Sequence, residues 1–134
     1  MVLPFLIGVA LTVTLLGLAW ITGLARERGV YTATLIAIAL FYVVFAFEHG
    51  GVREVIINSM IAVLFLTLAI LGYVWSLYIV AFGLILHGVF DIIYMVSPTN
   101  PAPDWWGPLC LSIDAILGLF LIASIKMGFV DNQK

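Results

Sequence analysis

The chain has 134 residues, of which 65% are hydrophobic and 9% charged, with a net charge of −2. Soluble domains carry about a quarter charged residues, so so apolar a chain cannot cover a water-facing surface, and lipid must be its solvent. Without a basic patch there is no footprint for nucleic acid, and one cysteine excludes an internal disulfide or a cysteine-only metal centre.

A spanning helix needs about 20 mainly apolar residues. The first candidate runs from Val2 to Leu24 and stops at Arg26-Glu27-Arg28-Gly29. No Lys or Arg precedes it, so a retained helix is expected rather than a cleaved signal. The second runs from Val30 to Phe47 and stops at Glu48-His49-Gly50-Gly51.

Val52 to Val96 has no proline. As one helix it would be about 65 Å long, twice the thickness of the hydrocarbon core. It must fold back, and Leu71-Gly72-Tyr73-Val74-Trp75 offers a glycine stop and interfacial aromatics. This places a third helix at Val52 to Leu71 and a fourth at Trp75 to Val96. The loop Ser97 to Asp104 contains three prolines, and the fifth helix begins near Trp105 and ends between Lys126 and Phe129. Asp104 is expected to cap it, with Pro108 in its first turn and Trp105 and Trp106 as interface anchors.

The fold expected is therefore all-α, a polytopic transmembrane bundle of five spanning helices in one domain, residues 1–134. With the N-terminus outside and the C-terminus inside, Arg26, Arg28, Lys126 and Lys134 lie on the cytoplasmic side and Arg53 alone lies outside. Membrane lipids are the expected surroundings, and nucleic acid is not an expected partner.

Ionisable residues at depth cost about 2.5–3.5 kcal/mol each near the middle of a helix, so they mark functional positions. The chain carries Glu48, His49, His87, Asp91 and Asp114, with Asn58 and Cys110 nearby. His87 falls within about 3 Å of the middle of its helix and Asp91 about 8 Å to the outer side. Asp114 falls about 4 Å and Cys110 about 10 Å to the outer side of theirs. His87 and Asp91 are four residues apart, with Tyr94 three further on, so all three share a face. Cys110 and Asp114 repeat that spacing. Gly83 and Gly88 on one helix, and Gly107 and Gly118 on the other, are expected to bring the two faces together.

Imidazole and carboxylate together suit a divalent transition metal, the candidate cofactor, with Glu48 or His49 available to complete a ligand set around His87, Asp91 and Asp114. The same three residues are the candidates for acid–base catalysis on a lipid-like substrate, Asp91 orienting the His87 ring. Three other readings stay open: a hydrogen-bonded structural network, a small proton- or ion-coupled transporter, and an accessory subunit. A homo-oligomer or a larger membrane complex would supply the partners in the last two. Glu48-His49 also reads as a solvated helix end, and Arg53 and Glu54 as surface charges able to pair with Glu48. Thr12, Thr14 and Ser112 can satisfy themselves on their own helix.

Leu86-His87-Gly88-Val89-Phe90-Asp91, a proline-rich loop, then Cys110-Leu111-Ser112-Ile113-Asp114 resembles a pattern in small bacterial integral membrane proteins of unknown function. There a His-x-x-Trp-Asp helix precedes a proline-rich loop and a helix with Cys and Asp. The likeness covers the last third of the chain. Phe90 stands in place of the Trp, and Ile113 in place of a second Cys. The resemblance implies a bacterial inner-membrane protein with its site at His87, Asp91, Cys110 and Asp114, and it implies no activity.

Overall fold

The computed structural model describes residues 2–133. Its elements are α1 (Val2–Thr22), a 3₁₀ turn (Leu24–Arg26), α2 (Arg28–His49), α3 (Val52–Val74), α4 (Leu77–Met95) and α5 (Trp106–Lys126). All five α-helices are long and apolar enough to cross a membrane, as an integral membrane protein requires. No strand occurs among the described residues.

Helix α4 is the hub. It packs on α2, α3 and α5, whereas α1 lies outermost against α5. Half of the most apolar window of α4 is buried, against 11% in α1, so any site enclosed by protein must be built around α4. Glycine sets the closest approaches. A Cβ at Gly118 would stand 2.7 Å from Ile85 Cγ1, so α5 meets α4 there without room for a side chain.

Helix positions follow the sequence, but four details differ. The α3–α4 turn falls at Trp75–Ser76, and Gly72 stays inside α3. Its part is close packing, since a Cβ there would stand 2.7 Å from the Val80 backbone nitrogen. Gly83 faces Leu35 of α2 and Leu68 of α3 rather than α5, while Gly88, Gly107 and Gly118 do line the α4–α5 seam. Asp104 is exposed and does not cap α5. Trp105 holds the N-cap position without a side-chain bond, and the Trp106 N–H donates instead to the Pro103 carbonyl at 3.0 Å. Glu48 pairs with its neighbour His49 at 3.6 Å rather than with Arg53, and the Glu54 carboxylate turns back one turn to accept the Gly51 N–H at 3.0 Å, satisfying a free donor at the start of α3.

The end of the bundle bearing Gly23 is closed by the C-terminal tail. Gly23 takes a left-handed conformation, φ 85°, that lets the chain reverse into the 3₁₀ turn. Arg28 then ties three segments together. Its guanidinium donates to the carbonyls of Tyr73 at 2.7 Å, Asp131 at 3.0 Å and Asn132 at 3.1 Å, and lies over the Tyr73 ring. Ser76 Oγ donates to Asn132 Oδ1 at 2.7 Å. Arg28 reads in the sequence as a loop charge, yet here it satisfies carbonyls that a helix end and an irregular tail would otherwise leave bare.

Candidate metal centre

The centre of the bundle is polar on one level. His87 projects from the middle of α4, and Asp91 follows one turn later on the same face. Asp114 and Cys110 project towards them from α5, again one turn apart. All four side chains are 0–1% exposed. The small residues of the seam allow this: Gly88 lies opposite Asp114, a Cβ there meeting the Asp114 Cβ at 3.5 Å.

The geometry is close. His87 Nδ1 stands 2.8 Å from Asp114 Oδ2 and 3.7 Å from Asp91 Oδ2. Cys110 Sγ lies 3.7 Å from Asp114 Oδ2 and donates to it. One ligand atom from each of the four residues falls within 4.8 Å of every other. Two carboxylate oxygens, Asp91 Oδ2 and Asp114 Oδ1, are buried with no hydrogen-bond partner among the described residues. A buried carboxylate oxygen without a donor is costly, so two beside one imidazole mark a place where positive charge is wanted.

The residues around the cluster fix its orientation. Tyr42 OH, from α2, donates to Asp91 Oδ1 at 2.7 Å, leaving Oδ2 turned to the histidine. The ring of Phe65, from α3, meets the His87 ring edge-on at 4.7 Å between centroids, and Phe90 flanks it at 5.6 Å. Neither Tyr42 nor Phe65 stands out in the sequence. Each is an aromatic residue in an apolar run, and only the packing of α2 and α3 on α4 assigns it a partner.

The other candidate residues divide. Tyr94 is buried on the α4 face that carries His87 and Asp91, and its hydroxyl donates to Asn58 Oδ1 at 2.8 Å. Asn58 in turn donates to the Glu54 carbonyl at 2.7 Å, so both lie one layer out from the cluster. Glu48 and His49 stand apart. They close α2 with side chains 59% and 60% exposed, paired with each other at 3.6 Å, and they are not members of the four-residue group. Thr12, Thr14 and Ser112 bond to carbonyls of their own helices at 2.7–2.8 Å, as expected.

No protein-family model, curated protein or solved structure matches the chain. Chemistry alone therefore reads the site. In a tetrahedral centre with bonds of about 2.0–2.3 Å, ligand atoms sit about 3.3–3.8 Å apart. The two separations of 3.7 Å fall within that range and the 2.8 Å one lies below it, and one nitrogen, two carboxylates and one thiol form a donor set suited to zinc, iron or cobalt. Glu48 and His49 are not needed to reach four donor atoms, since Cys110 offers the fourth.

Proposed function

We propose that this protein holds a divalent transition metal within the membrane, bound by His87, Asp91, Cys110 and Asp114. The observation that carries this reading is the pair of orphaned carboxylate oxygens, Asp91 Oδ2 and Asp114 Oδ1, buried beside His87. A divalent cation would balance both carboxylates at once. Intramembrane hydrogen bonds average about 0.6 kcal/mol, too little to offset two buried aspartates on stability alone. The resemblance of the last third of the chain to small bacterial membrane proteins supports placement in a bacterial inner membrane. The distribution of Lys and Arg supports the 96–105 loop lying outside. Hydrolysis of a lipid-like substrate at the same residues would require α4 and α5 to part, because the cluster is out of contact with lipid.

The test is cobalt substitution of the purified full-length protein, with metal content measured by plasma mass spectrometry. Near one cobalt per chain is expected, with a thiolate-to-metal absorption band that Cys110→Ser abolishes and a stoichiometry that Asp91→Asn abolishes. Absence of bound zinc and cobalt from the wild-type protein would overturn the reading. A second reading, a proton-holding network, is favoured by the two short bonds His87–Asp114 and Tyr42–Asp91. That network predicts no bound metal, and a potentiometric titration of the purified protein that loses one protonatable group in Asp114→Asn.

A further inference from the structure

The polar cluster is lined asymmetrically. Towards the end of the bundle bearing Gly23, the layer next to the cluster is apolar and closed. Leu84 and Ala81 lie about 4.5 and 9 Å below His87 along α4, and Leu121 about 10 Å beyond Asp114 along α5. These three, with Leu35 and Ala69, are wholly buried. Towards the opposite end, polar atoms continue. Asp91 accepts from Tyr42, the Tyr42 ring meets the Tyr94 ring edge-on at 5.1 Å, and Tyr94 donates to Asn58. Asn58 bonds the Glu54 carbonyl one turn above it. Glu54 then lines an open cavity of about 230 Å³ with His49, Thr99 and Asn100, between the α2–α3 and α4–α5 connections.

We infer that the metal enters and leaves the cluster from the Gly50 end alone, through this cavity and past Asn58, Tyr94 and Tyr42. The inference deepens the metal-binding reading and rests on it. A divalent ion that sheds water needs replacement oxygens along its path, and the amide and phenol oxygens of these three side chains supply them at successive depths. In the opposite direction the layer next to the cluster offers only methyl and methylene groups, and the buried polar side chains of Tyr31, Thr32 and Ser124 lie beyond it, so an ion would cross that layer with nothing in exchange for its hydration. The path also gives the Tyr94–Asn58 bond a purpose. It ties α4 to α3 directly above the site and holds the Asn58 amide oxygen in the path.

The test follows cobalt binding and release by absorption in the metal-free, detergent-solubilised full chain, where both ends of the bundle meet the same solution. Asn58→Leu is expected to slow uptake and release alike, by about tenfold, with the equilibrium affinity unchanged. Thr99→Cys carrying a bulky maleimide should slow uptake comparably, wild type treated with the same reagent serving as control. Thr99 lies on an exposed loop, so this variant keeps the test intact if Asn58→Leu fails to fold. Ala69→Ser, on the apolar side, should leave both rates unchanged. Unaltered rates in Asn58→Leu and in the capped Thr99→Cys would overturn the route while leaving the metal site standing. Faster uptake in Ala69→Ser would overturn it too, by placing entry at the other end. No cobalt bound by the wild-type chain would overturn route and site together.

Discussion

The chain contains two places where a histidine and an acidic residue meet within one helix, and they have opposite fates. At the end of α2, Glu48 and His49 are adjacent, exposed and paired only with each other at 3.6 Å. In the middle of α4, His87 and Asp91 are one turn apart, fully buried and converged upon by Tyr42, Asp114 and Cys110. Residue type is nearly the same in both. Neighbours make the difference: a helix end opens to water, while the seam between α4 and α5 excludes it. An exposed ion pair is worth little, since water screens it and its side chains lose freedom. A buried one must have its partners, because a charge left alone has nothing else to interact with.

That contrast can be broken most forcefully at Asp114. Asp114→Ala removes the acceptor of His87 Nδ1 and leaves both His87 and Asp91 buried with a smaller partner set. A loss of about 3–5 kcal/mol is expected, the range for breaking one side of a buried pair. Equilibrium unfolding in mixed micelles measures it. A loss near 0.6 kcal/mol, typical of a neutral bond between membrane helices, would show instead that the group carries little charge.

Tyr42→Phe sharpens the comparison more gently. It deletes one hydroxyl and keeps the ring that packs on Phe90 and Tyr94. Asp91 Oδ1 then loses its donor and the carboxylate is freer to rotate, so cobalt affinity should fall by about 10–100-fold, as when an outer partner of a metal ligand is removed. Titration with a competing chelator reads this directly. An unchanged affinity would mean that Asp91 is positioned by its helix alone.

The smallest effect belongs to the other end. Glu48→Ala and His49→Ala should each change stability by less than about 0.5 kcal/mol and leave cobalt stoichiometry untouched, as substitutions at exposed positions do. Loss of metal from either variant would bring the end of α2 into the site and remove the difference between the two histidines.

The number of spans, their approximate limits and the residues of the cluster can be read from the amino-acid order. Hydrocarbon thickness sets segment length, so a 45-residue apolar stretch has to fold once. Helical periodicity makes His87, Asp91 and Tyr94 one face and Cys110 and Asp114 another. Small residues along both faces permit their meeting. The turn at Trp75–Ser76 was harder to place, because Gly72 carries the signal of a helix stop and of a close contact equally, and only Val80 packed against it decides between them.

Other features required the packed chain. Spacing within a helix cannot say which neighbour an aromatic residue faces, so Tyr42 remains one apolar-run tyrosine among several until α2 lies against α4. Nor does it settle whether His49 joins His87 as a ligand, since His49 closes its helix on the side towards which the polar face of His87 and Asp91 extends. Arg28 likewise became a staple only when the tail residues Asp131 and Asn132 returned to it. Sequence order determined the bundle and its polar level because lipid imposes length and periodicity on every segment independently. Tertiary packing decided how the cluster is assembled and enclosed, because convergence of side chains from α4 and α5, with Tyr42 of α2 and Phe65 of α3 around them, is a property of their mutual arrangement and belongs to no segment alone.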